Sequence, residues 1–163
     1  MSSRLITTWS EYDSAVQEIL DLAPGTLQIF DEDLTTLKLE RPERIAALRR
    51  LLTLRPDDKR LSRRLTIVVQ KTDFVRQYSP QLMKLLSSHA PTLTIIHAPA
   101  HLATLADSLL IADGRHALVR FDHDQARSRL IIDDSGECAP LRQRFDEIVG
   151  EGGEALSATT LGL

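Results

Sequence analysis

Apolar positions in the first two thirds of the chain alternate between helical and strand periods. Tyr12, Val16, Ile19 and Leu20 recur every three or four residues and share one helical face. Thr8-Trp9-Ser10-Glu11 ahead of them fits a capping box, with Thr8 as N-cap, and Pro24-Gly25 ends the helix. Thr26 to Phe30 alternates as a short strand does and runs into Asp31-Glu32-Asp33. Pro42 suits a first helical turn, with Ile45, Leu48, Leu51 and Leu52 as the apolar stripe up to Arg55-Pro56. The β-branched run Leu65 to Val69 predicts a buried strand. Ser79-Pro80 opens a further helix with Leu82, Leu85 and Leu86 facing inward. Leu93 to Ile96 is a third strand, followed by Pro99 and a short helical or irregular piece from His101 to Leu105.

The pattern then changes. Leu109-Leu110-Ile111 and Ala117-Leu118-Val119 flank Asp113-Gly114, the residue pair of a type I′ hairpin turn. Arg129 to Asp133 predicts one more strand, and Pro140 starts a last helix bearing Leu141, Phe145, Ile148 and Val149. From Gly150 onward small and polar residues predict a frayed tail. Three strands separated by helices argue for parallel βαβ units, and the later strands for antiparallel ribbons on the same sheet. The expected fold is α/β, a mixed β-sheet flanked by helices, with one domain over residues 1–150 and a flexible tail over 151–163. Ile67, Val68, Ile95, Ile111 and Phe145 are its expected core.

Composition narrows the functional classes. A net charge of -3 provides no global field for nucleic acid or an anionic membrane. One cysteine, Cys138, excludes an internal disulfide framework and a cysteine metal cluster. The first twenty residues lack the apolar core of a signal peptide, and no apolar run approaches the roughly 18 residues of a membrane span. A cytoplasmic protein is the expectation.

The hairpin segment resembles the signature of the phospholipase D superfamily, in which a His is followed two residues on by a Lys and five residues later by an Asp. Counting back from Asp113 puts Ala106 at the place of the His and Ser108 at that of the Lys. The superfamily's Gly-Ser pair, seven and eight residues after the Asp, is here Arg120 and Phe121. The order of elements from Leu27 to Val149 also resembles one repeat of that fold. A bacterial family of related domains is similar more narrowly, in the acidic end of the first strand and in the Leu-Leu-x-Ala-Asp-Gly hairpin. The resemblance implies an imidazole that attacks phosphorus and a Lys that neutralises the phosphoryl oxygens. Alanine supplies no nucleophile and serine no positive charge. The expectation is a single phospholipase D-like unit with a degenerate motif and no catalytic residues, in which Arg120 and Phe121 fill the vacated space. Such units pair to complete a site in active relatives, which implies a homodimer anchored by Phe121, with Arg120 reaching an acidic residue of its mate. Transcription regulators that carry a degenerate unit as an effector sensor suggest a small-molecule or protein ligand.

Other clusters support weaker alternatives. Asp31 and Asp33, with Asp113, are candidate ligand-binding carboxylates and the ones a metal-assisted hydrolase would use; Asp31-Glu32-Asp33 with Asp113 and Asp133-Asp134 could offer oxygen ligands to a hard divalent cation. Their spacing matches no known metal loop, and neither a metal nor a cofactor is expected. Arg60, Arg63 and Arg64 form the densest basic cluster, the alternative being a nucleic-acid-binding module. No aromatic residues interleave them, so nucleic acid is not the expected partner. His89, His97, His101, His116 and His123 show no ligand spacing; His123 between Asp122 and Asp124 suits a solvated turn. Cys138 has no basic neighbour and is expected to be inert.

Overall fold

The computed structural model describes residues 2–23, 25–53 and 63–158. Its elements are β1 (Ser2–Ile6), α1 (Trp9–Asp21), β2 (Thr26–Asp31), α2 (Pro42–Leu52), β3 (Arg64–Val69), α3 (Asp73–Tyr78), α4 (Pro80–His89), β4 (Leu93–His97), a single 3₁₀ turn (Ala100–Leu102), β5 (Ser108–Ala112), β6 (His116–Arg120), β7 (Ser128–Ile132), α5 (Ser135–Gly150) and β8 (Glu154–Ala155). The strands form one sheet in the order β1-β7-β6-β5-β2-β3-β4-β8. β2, β3 and β4 are parallel, joined by helical crossovers, and every other pairing is antiparallel. The mixed α/β sheet expected from the sequence is present.

The sheet separates two apolar layers. Leu27, Ile29, Leu65, Ile67, Leu110 and Leu118 pack beneath α1, α2 and α4, while Phe30, Val68, Leu109, Ile111 and Val119 face α5 through Phe145 and Ile148. Alternation along each strand produces this division, since successive side chains point to opposite faces. Ile67, Val68, Ile95, Ile111 and Phe145 are all buried, as predicted. Thr8 caps α1, its Oγ1 accepting the Glu11 amide at 3.1 Å.

Four differences from the sequence reading have physical causes; one is α3, a six-residue helix with only Val75 buried, which carries no apolar stripe and was not predicted. The first strand went unnoticed because only Ile6 of its five residues is buried, so no alternation marks it; pairing with β7 alone makes it a strand. The last helix begins at Ser135 rather than Pro140. Asp134 accepts the Glu137 amide at 3.0 Å as N-cap, and Pro140 sits in the second turn, where it has no N–H to give the Gly136 carbonyl. The tail expected from Gly150 stays on the sheet as far as Leu156, which is buried and donates its amide to Ile95 O at 2.8 Å. Gly153 permits this: a Cβ there would stand 2.5 Å from the His97 carbonyl, and its φ of +123° suits glycine alone. Residues 159–163 of that expected tail lie outside the described residues.

Candidate functional site

Where β2, β5 and β6 end side by side, three polar side chains turn into the apolar layer under α1. Asp31 closes β2, Ser108 opens β5 and Arg120 closes β6. The register sets Ser108 directly opposite Arg120, and Phe30 opposite Leu109 brings Asp31 alongside. All three are buried, Arg120 and Asp31 at 1% exposure each.

Every charge in this cluster is answered from within the chain. Arg120 Nη2 donates to Asp31 Oδ1 at 3.1 Å and to Thr36 Oγ1 at 2.9 Å. Nη1 donates to the carbonyl of His123. Ser108 Oγ donates to the same Asp31 oxygen at 2.6 Å, and Asp31 Oδ2 accepts the amides of Asp33 at 3.2 Å and Leu34 at 2.7 Å. From α1, Trp9 and Tyr12 cover the guanidinium, their ring centroids 5.5 and 5.1 Å from Cζ. Burial raises the Tyr12 phenol above its ordinary pKa, and the neighbouring Arg120 charge partly offsets this.

The residues at the signature places separate in space. Ala106 lies in the loop before β5 and accepts the His123 amide on its carbonyl at 2.7 Å. Asp113 stands in the turn at the opposite end of β5, with φ of +53° followed by +66° at Gly114. Its Oδ1 accepts the amides of Gly25 at 3.1 Å and Thr26 at 2.8 Å. Arg120 is buried within the cluster, but Phe121 is not. As the next residue along the strand it points to the other face and is 48% exposed. Nor does Arg120 reach a mate: its buried guanidinium is already bound to Asp31 of its own chain.

The three ligand-binding candidates do not meet either. Asp31 and Asp113 belong to opposite ends of β2, five residue steps or roughly 16 Å apart. Asp33 caps the Thr35 amide at 3.0 Å, Asp133 is bound by Arg115, and Asp134 caps α5. Of the basic cluster, Arg63 donates to the Leu51 carbonyl at 2.9 Å and Arg64 begins β3; Arg60 lies outside the described residues. His123 is half-buried rather than solvated, with Nε2 3.3 Å from Glu32 Oε2. Cys138 is buried, which pushes its thiol pKa up to about 11.

The sequence reading missed the participants contributed from elsewhere: Trp9, Tyr12, Thr36 and the His123 carbonyl. The one available signal was parity, which places Arg120 on the same face as Leu118 and thus under α1.

No protein-family model and no curated protein matches the chain. Among solved structures, Nuc from Salmonella typhimurium, a phospholipase D family member, superposes with a TM-score of 0.62 over 96% of this chain and 98% of its own, at 10% identity. The fold is phospholipase D-like. TrmBL2, an archaeal chromatin protein whose structure shows a novel mode of DNA binding, superposes with a TM-score of 0.68 over 96% of this chain at 15% identity. The chain spans 54% of TrmBL2. At these identities the likeness is one of fold. A neighbour that binds DNA leaves the expectation against nucleic acid without support. No helix among the described residues is long and apolar enough to cross a membrane.

Proposed function

We propose that this chain is a non-catalytic phospholipase D-like binding module. The observation that carries the reading is the buried Arg120–Asp31–Ser108 cluster, in which Ser108 and Arg120 stand at the places the resemblance gives to the phosphate-gripping Lys and to the glycine of the Gly-Ser pair. A phosphodiester has no room beside a guanidinium already enclosed by Trp9, Tyr12 and Thr36. The purified chain is expected to leave bis-p-nitrophenyl phosphate unhydrolysed, and Ala106→His with Ser108→Lys is expected not to restore turnover while Arg120 remains. Turnover by the unaltered chain, lost in Asp113→Ala, refutes the reading.

The implied homodimer has a surface of its own. Leu5, Phe121, Arg127 and Arg129 line an exposed corner beside β1, with Leu5 at 52% and Phe121 at 48% exposure. β1 ends the sheet there with one side unpaired, as an edge that invites a further strand. Sedimentation equilibrium is expected to show a dimer that Phe121→Glu dissociates; a monomer at tens of micromolar refutes it. The two arginines make nucleic acid the other occupant to test. A mobility shift that weakens steeply with salt and is lost in Arg127→Ala would assign the corner to a polyanion instead.

A further inference from the structure

The connection between β2 and α2 is held far more firmly than a surface loop requires. Arg120 grips it at Asp31 and at Thr36. Arg44, 2% exposed, donates to the Leu37 carbonyl at 2.6 Å while its other arm holds the Asp13 carbonyl at 2.7 Å. Glu40 accepts the amides of Gln81 and Leu82 at 3.0 Å each, fastening the far end to the start of α4. Within these fixings Leu34 and Lys38 adopt left-handed φ values of +72° and +48°, which surrounding structure must enforce in side chains other than glycine. Two buried guanidinium groups and two carboxylates thus set the shape of about ten residues.

That shape is one wall of a cleft of about 260 Å³. Leu34 and Leu39, buried at 1% and 4%, form its apolar base. Phe74 and Tyr78 of α3 form the opposite wall, their rings 5.7 Å apart and inclined by 36°. Tyr78, at 64% exposure, is the most exposed large hydrophobic side chain among the described residues. The cleft opens beyond the carboxyl ends of β2 and β3, where open α/β sheets take up ligands. Its charges are mostly committed: Arg41 is bound to Asp13 at 2.8 Å and Glu40 to α4. Lys38 is exposed on the lining and has no ion-pair partner among the described residues.

We infer that this cleft binds a small aromatic anion, with one or two flat rings against Phe74 and Tyr78 and a single carboxylate-type group at Lys38. The volume lies at the small end of ligand sites, which limits the size; two aromatic rings in the lining favour an aromatic partner; one uncommitted cation favours a single negative charge. A wall fixed beforehand spares the ligand the cost of ordering it. The inference rests on the binding-module reading and names its ligand class. It also gives the cluster at the former catalytic place a positioning role, since Arg120 holds the cleft wall through Asp31 and Thr36.

The test uses 2-naphthoate and its neutral counterpart 2-naphthamide, titrated into the ¹⁵N-labelled full chain with amide shifts as the readout. Saturable shifts confined to residues 34–41 and 74–79 are expected. Tyr78→Ala, at an exposed site, should weaken both probes by roughly tenfold, as loss of an aromatic contact does. Lys38→Met should weaken naphthoate by roughly fivefold and leave naphthamide within about twofold. Shifts around Leu5 and Phe121 instead, no saturation by about 5 mM, or equal loss of both probes in Lys38→Met would overturn the inference. So would dilution of the probe-free chain moving the same amides, which would assign the cleft to a second copy. Phosphodiester turnover in the same sample counts against the non-catalytic reading alone; absent probe binding without turnover counts against the cleft alone.

Discussion

Replacing Arg120 by methionine keeps most of the side-chain volume and removes the charge, so it isolates the buried ion pair from the cavity that alanine would add. Removing one partner of a buried pair costs about 3–5 kcal/mol, because the other charge is left without its counter-ion in a medium that solvates it poorly. Asp31 would keep the Ser108 hydroxyl and the Asp33 and Leu34 amides, which moves the expectation to the lower end, about 3 kcal/mol. Asp31→Asn leaves Arg120 with Thr36 and the His123 carbonyl and should cost a similar amount. Combining the two removes both charges at once, so the double variant should be more stable than the sum predicts, by about 2 kcal/mol. Urea unfolding is the assay. With a slope of about 2 kcal/mol per molar, Arg120→Met should lower the midpoint by about 1.5 M. A fall of less than about 0.5 M, or strict additivity in the double variant, would mean that the cluster is held by packing under Trp9 and Tyr12 and the pair adds nothing.

Ile95, fully buried on β4, should lose about 2–5 kcal/mol of stability on truncation to alanine in the same assay; less than about 1 kcal/mol would contradict its central place. Burial, followed by the Arg115 charge, holds the His116 imidazole below its ordinary pKa, and its Nδ1 accepts the Asp133 amide at 2.9 Å. The unfolded chain therefore takes up this proton first as pH falls. The stability His116 contributes is intact above about pH 6.5 and declines below it, and His116→Gln should flatten that part of the stability–pH curve, an unchanged slope being the refuting result. With its pKa pushed up to about 11, Cys138 should be about one part in a thousand thiolate at pH 8 and should react with a disulfide reagent only after denaturant is added; rapid labelling of the native chain would contradict its burial.

Local pattern by itself determined the strands β2 to β7, because each carries a β-branched run, an alternation or, in β5 and β6, a short apolar run beside a turn pair. It determined the hairpin too, since Asp113-Gly114 accepts positive φ at both turn positions. Where a signal existed but a stronger-looking one competed, the element was found and its start misplaced: Asp134 and Glu137 mark the beginning of α5, yet Pro140 resembles a first-turn proline. β1 and β8 carry almost no buried side chains, so their pairing was decided wholly by partners far along the chain. Strand direction, a tertiary property, sent Asp31 and Asp113 to opposite ends of the sheet although both end or begin a turn. The fate of Arg120 is the clearest case. Its position at the end of β6 was readable, whereas its partner Asp31 lies 89 residues away and its aromatic cover comes from the first helix. Only the assembled sheet brings that carboxylate within reach of the buried guanidinium.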